Sequence, residues 1–125
     1  AGKKVQGAKV AVLGLTFKEN VPDLRNTRVV DIIDELKDFG AEVFVHDPMA
    51  DGEEAKKYYG IDFTPLDKIK GMDAVILAVL HKPYRDMGLS AIAKCCKGSK
   101  PIVLDIRGGF DPDIQQKEKI AYWRL

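Results

Sequence analysis

Short apolar runs and amphipathic segments alternate along this chain from end to end, and few folds accommodate that rhythm. Lys9-Val-Ala-Val-Leu-Gly-Leu15 is rich in β-branched residues and carries a glycine near its end, as a buried parallel strand does. Val29, Ile32, Ile33, Leu36 and Phe39 then recur at helical spacing, with Asn26 or Thr27 as N-cap and Gly40 as the stop. Residues 41–46 read as a second strand closed by Asp47-Pro48, and a polar helix over 51–59 ends at Gly60. Residues 61–64 predict a short strand and 65–70 a turn or two of helix. Residues 74–80 predict a central strand, and 89–95 a helix finished by Lys97 and Gly98. Residues 101–105 and 120–125 are the last two strands, the latter at an edge. This order implies parallel strands with right-handed crossovers. The expected fold is α/β: a doubly wound, Rossmann-like parallel sheet with helices on both faces, three layers in a single domain over residues 1–125.

Composition narrows the partners. With 125 residues, 46% hydrophobic and 31% charged, the chain supports one soluble core and does not read as disordered or fibrous. Twenty basic against nineteen acidic residues leave +1, so no net field draws it to nucleic acid or an anionic membrane. Its apolar runs fall short of the roughly 20 residues a spanning helix needs, and no secretory leader is evident. The vicinal Cys95 and Cys96 would bridge only through a strained ring. With His46 and His81 the sole histidines, a metal site lacks ligands. Reduced thiols and a cytoplasmic setting are expected. Cys95 and Cys96 fall near a helix C-terminus, where the dipole opposes a thiolate. Tyr58, Tyr59, Tyr84, Tyr122 and Trp123 read as packing and interface residues.

In doubly wound sheets ligands sit at the carboxyl ends of the strands, so the loops after Leu15, Asp47, Leu80 and Asp105 hold the candidate chemistry. The first of these, Gly14 to Arg28, is long for a βα connection. Lys18, Arg25 and Arg28 outnumber Glu19 and Asp23 there, beside a helix N-terminus that welcomes anions. Lys18 and Arg25, seven residues apart, could reach different oxygens of a diphosphate; the bland alternative is a solvated loop with incidental charges. The run Asp105-Ile-Arg-Gly-Gly109 either presents the Arg107 guanidinium to a planar anion, or merely makes a turn in which Asp105 and Arg107 pair with neighbours. A Gly-x-Gly-x-x-Gly fingerprint is missing after Gly14, which leaves Asp47 a turn carboxylate rather than a ribose-binding acid. His81, without a visible nucleophile or acid partner, reads as a hydrogen-bonded loop residue.

Taken in order, Val12-Leu-Gly-Leu-Thr-Phe-Lys18, Asp23-Leu-Arg25, Asp47-Pro48 and Asp105-Ile-Arg107 resemble the C-terminal, UDP-binding domain of the UDP-glucose/GDP-mannose dehydrogenase family, across essentially the whole chain. Phe17-Lys-Glu-Asn-Val-Pro-Asp-Leu-Arg-Asn-Thr27 and the final Tyr-Trp-Arg-Leu125 are most similar to the branch that oxidises UDP-N-acetylhexosamines for capsule or O-antigen synthesis. The resemblance implies an NAD-dependent, four-electron oxidation of a sugar C6 alcohol to a carboxylate, through a catalytic cysteine. It implies that Phe17, Lys18 and Arg107 contact the UDP-sugar. Arg25 would reach NAD held mainly by another domain, and the whole enzyme would be a homo-oligomer. Thr27-Arg28 departs from the Ser-Pro the family often shows, and Cys95 and Cys96 do not match the catalytic-cysteine segment.

Two other readings compete. A receiver-type signalling domain has similar size and rhythm, but Gly14-Leu-Thr-Phe-Lys18 stands where its acidic pair would be. A regulatory NAD-sensing module would need the absent glycines. The resemblance implies that this chain alone, lacking both nucleophile and hydride-acceptor site, is catalytically inert. Absorbance at 340 nm should stay flat when it is mixed with NAD⁺ and a UDP-sugar, and sustained reduction of NAD⁺ would contradict this.

Overall fold

The computed structural model describes residues 5–110 and 120–124. Five strands, β1 (Lys9–Leu13), β2 (Glu42–His46), β3 (Ala74–Leu77), β4 (Ile102–Asp105) and β5 (Ala121–Arg124), form one parallel sheet in the order β2-β1-β3-β4-β5. The helices are α1 (Val29–Asp38), α2 (Gly52–Tyr59) and α3 (Lys82–Ala93). The sheet is buried on both faces because side chains alternate across it. Val10 and Val12 face a core that takes in Val29 and Ile33 of α1 and Ala55 of α2. Ala11 and Leu13 face the opposite core, with Tyr84, Leu89 and Ile92 of α3. This is the expected three-layer, doubly wound α/β domain, with β3 central and β5 at an edge; Leu125 lies outside the described residues.

Several boundaries differ from the sequence reading. β1 stops at Leu13, two residues early, because Gly14 turns the chain with φ +96°. The expected strand at residues 61–64 reduces to one bridge, Phe63 to Val45 on the outer edge of β2, before Pro65 turns the chain into a 3-10 turn at Leu66–Lys68. α3 starts at Lys82 rather than near residue 89: Pro83 sits in its first turn, where a missing N–H costs nothing, and a kink at Gly88 joins the two parts. On α1, Phe39 is exposed rather than part of the apolar face, while the Thr27 hydroxyl accepts from the Val29 amide.

Gly14, just past β1, packs closely against Val79, just past β3. A Cβ there would lie 2.5 Å from the Val79 carbonyl oxygen, and the backbone is left-handed. Gly14→Ala is expected to cost about 2–4 kcal/mol in urea unfolding, combining strain with the clash; a loss under about 0.5 kcal/mol would contradict the close packing.

Candidate functional site

The carboxyl ends of β1, β2, β3 and β4 share one side of the sheet, and the chain order switches between β1 and β3. Above that switch lies a hollow of about 340 Å³ lined by Thr16, Phe17, Asn26, Arg28, Ile106 and Arg107, with apolar sides from Val29, Ile32, Ala78 and Val79. Phe17 is half-exposed, Arg28 and Arg107 are exposed, and among the described residues no carboxylate lines the space. Two guanidiniums and the first residues of α1 therefore meet over apolar walls, which suits a ligand with a planar group and an anionic one.

Phe17 and Arg107 thus come together from loops some ninety residues apart in sequence. Lys18, next in the chain and exposed, is not part of that lining. Arg25 lies elsewhere, in a larger hollow of about 600 Å³ with Asp23, Asp51, Glu54, Met49 and Tyr58. Its Nε is 3.1 Å from Asp23 Oδ1, so the guanidinium holds the Asp23 carboxyl below its ordinary range. Lys18 and Arg25 are therefore not gathered around one hollow. Three carboxylates against one guanidinium make the larger hollow a poorer host for a pyrophosphate, despite its size. Arg28 is the residue that sequence reasoning counted among the loop cations without singling out; its position at the start of α1 was the available signal.

The long first loop is held by buried polar groups. The Asp47 side chain is fully buried and accepts five hydrogen bonds. Oδ2 takes the amides of Leu15 (2.6 Å) and Thr16 (3.1 Å) and the His81 ring (2.9 Å). Oδ1 takes the amides of Met49 (2.7 Å) and Ala50 (2.9 Å). It is a turn carboxylate, as expected, but it also reaches back across the sheet to β1's loop. Burial alone would push its carboxyl up; the His81 and backbone hydrogen bonds outweigh that and hold it below the ordinary carboxylate range. His81 is also fully buried. The Asn20 amide donates to its Nδ1 at 2.9 Å, which places the ring proton on Nε2, shared between Asp47 Oδ2 and Thr16 Oγ1 at 3.0 Å. Thr16 Oγ1 in turn donates to the Lys18 carbonyl. Tyr59 of α2 donates its hydroxyl to the Leu24 carbonyl.

The Arg107 loop is built the same way. Buried Asp105 accepts from the amides of Arg107, Gly108 and Gly109 and from the Tyr122 hydroxyl at 2.6 Å. Burial, helped by that carboxylate, pushes the Tyr122 hydroxyl up to about 12. Asp105 makes the turn, and the Arg107 side chain is left exposed over the hollow. Among the described residues no group of three or more His, Cys, Asp or Glu side chains could hold a metal, and no helix is long and apolar enough to cross a membrane. Cys95 and Cys96 form no disulfide; the Cys96 thiol donates to the Ile102 carbonyl, and burial pushes the Cys95 thiol up.

Comparison with known proteins agrees with this architecture. Residues 11–112 match the UDP-glucose/GDP-mannose dehydrogenase family, UDP binding domain. The chain is 46% identical to Protein CapL of Staphylococcus aureus over 127 residues, covering 99% of this chain and 28% of that protein. It is 42% identical over 109 residues to UDP-N-acetyl-D-glucosamine 6-dehydrogenase of Pseudomonas aeruginosa, covering 87% of this chain and 26% of that enzyme. In structure it is similar to an NDP-N-acetyl-D-galactosaminuronic acid dehydrogenase from Methanosarcina mazei Go1, with TM-score 0.86 at 28% identity, covering 99% of this chain and 26% of that one. The chain thus spans about a quarter of the length of these relatives. Neither the receiver-type nor the NAD-sensing reading finds support in them.

Asp47's depressed pKa has a definite consequence for stability. The stabilisation from its ionised form is complete above the unfolded carboxyl's value of about 4 and is lost as pH falls through the folded value. Asp47→Asn, which turns an N–H₂ toward donors, is expected to cost about 3 kcal/mol at pH 7 in urea unfolding. The gap from wild type should narrow below about pH 4; a gap constant from pH 7 to 3 would contradict the ionised network. On this geometry and these matches, the chain belongs to the UDP-glucose/GDP-mannose dehydrogenase family, as its UDP binding domain.

Proposed function

We propose that this chain grips the UDP-sugar in an NAD-dependent nucleotide-sugar 6-dehydrogenase, which oxidises the C6 alcohol of a UDP-hexose or UDP-N-acetylhexosamine to a uronate. The observation that carries the reading is the hollow at the switch point, lined by Phe17, Arg28 and Arg107 and, among the described residues, by no carboxylate. Phe17 offers a face for a planar ring, and Arg107 a fork matched to phosphate oxygens. Lys18, on the same loop, adds a mobile point charge to the UDP-sugar contacts. The likeness to UDP-N-acetyl-D-glucosamine 6-dehydrogenase supports an N-acetylated sugar, and a role in capsule-type polysaccharide synthesis goes with it.

The cofactor belongs mainly elsewhere in this proposal. NAD⁺ would take the hydride when bound to the enzyme. Asp47, where dinucleotide-binding domains keep a ribose ligand, has its carboxylate fully buried and bonded to five internal donors, so it is not free to serve as that acceptor. Arg25, with its side chain 83% exposed in a hollow apart from Phe17 and Arg107, is the group this domain extends toward NAD on the remaining part of the polypeptide. The whole enzyme is proposed to be a cytoplasmic homo-oligomer.

Titrating UDP into the chain, followed by amide NMR shifts, tests the reading. The shifts are expected to centre on Phe17, Lys18 and Arg107, and Arg107→Ala should weaken binding about ten- to a hundredfold. Shifts centred instead on Asp51, Glu54 and Tyr58, or absent at millimolar UDP, would overturn it.

A further inference from the structure

Neither Asp47 nor His81 lines the hollow over the switch point, yet His81 contacts the loop that does at two places. Its Nε2 meets Thr16 Oγ1, and its Nδ1 accepts the Asn20 amide. These two residues bracket Phe17, Lys18 and Glu19. Asn20 sits in the left-handed region, φ 61°, an uncommon conformation for a residue with a side chain. Besides the amide that the ring takes, its Oδ1 accepts the Lys82 amide at 2.6 Å at the start of α3. The ring is fixed in turn by Asp47 from the end of β2. Strand ends β1 and β2 and the start of α3 are thereby tied to one imidazole.

A buried polar pair is seldom the most stable way to fill such a space; apolar residues of similar volume often do as well or better. What apolar residues cannot do is hold a loop by a donor to the Thr16 hydroxyl on one side and an acceptor for the Asn20 amide on the other. We propose that His81, set by Asp47, is a positioning residue for UDP-sugar binding. It fixes the backbone between Thr16 and Asn20 so that Phe17 faces the hollow shared with Arg107. The inference rests on the UDP-sugar reading and adds to it a residue that touches no ligand.

The test uses the 125-residue chain with UDP-N-acetylglucosamine as probe, whose pyrophosphate is a diester and does not titrate near neutrality. In wild type, ¹⁵N spectra of the ring should show the Nε2–H tautomer, with Nδ1 coupled to the Asn20 amide. His81→Phe keeps a planar ring, somewhat larger, and removes all three ring bonds, to Thr16, Asn20 and Asp47. It is expected to raise Kd about tenfold and to shift the amides of residues 16–20, while those of β1 and β3 stay put. His81→Asn restores an acceptor near Nδ1 and should recover part of the affinity. Should His81→Phe not fold, the tautomer and the Kd of His81→Asn decide: an Nδ1–H ring, or wild-type affinity in His81→Asn with residues 16–20 displaced, overturns the proposal. Unchanged Kd in a folded His81→Phe also overturns it and leaves the UDP-sugar reading standing. Wild-type chain that does not bind the probe removes the reading itself, and the proposal with it.

Discussion

A carboxylate taken out of water costs several kcal/mol unless donors replace its hydration, and the end of this sheet is organised around that requirement. Asp47 follows β2, yet two of its five donors are the amides of Leu15 and Thr16, where β1 ends. The chain leaves β1 through the left-handed turn at Gly14, which precedes those amides and brings it against Val79. His81 supplies the remaining cross-sheet donor. Satisfying one buried charge thus sets how three segments leave the sheet, and the loop carrying Phe17 and Lys18 inherits its course from them.

Asp105 repeats the device at the end of β4. Its carboxylate gathers three consecutive amides, from Arg107 to Gly109, and the Tyr122 hydroxyl ties the turn to β5. Neither acid is available to a ligand, and both leave cationic side chains exposed on the same side of the sheet. Buried carboxylates inside and exposed guanidiniums outside give the hollow of Phe17, Arg28 and Arg107 a cationic rim on a chain whose formal net charge is only +1.

Much of this was legible from the sequence, for identifiable reasons. β-branched runs and the period of Val29, Ile33 and Leu36 carried the strand and helix order, since burial on both faces of a parallel sheet leaves a strong apolar signal. Residues 61–64 misled because a short alternating run looks the same whether it makes a ladder or a single edge bridge. The start of α3 was missed because its first part, with Pro83 in the first turn and a kink at Gly88, carries little apolar periodicity. At the candidate site, loop length and charge pointed to strand ends where Phe17 and Arg107 line one hollow. The Asp47–His81–Thr16 network was beyond reach: its members are 34 and 65 residues apart, and only the closed fold brings them together.

A crystal structure of the chain with UDP-N-acetylglucosamine tests the central claim most directly. The pyrophosphate is expected within hydrogen-bonding distance of the Arg107 guanidinium, in the hollow bordered by Phe17 and Arg28. A pyrophosphate found instead beside Arg25 and Tyr58, with the Phe17 hollow empty, would contradict the account.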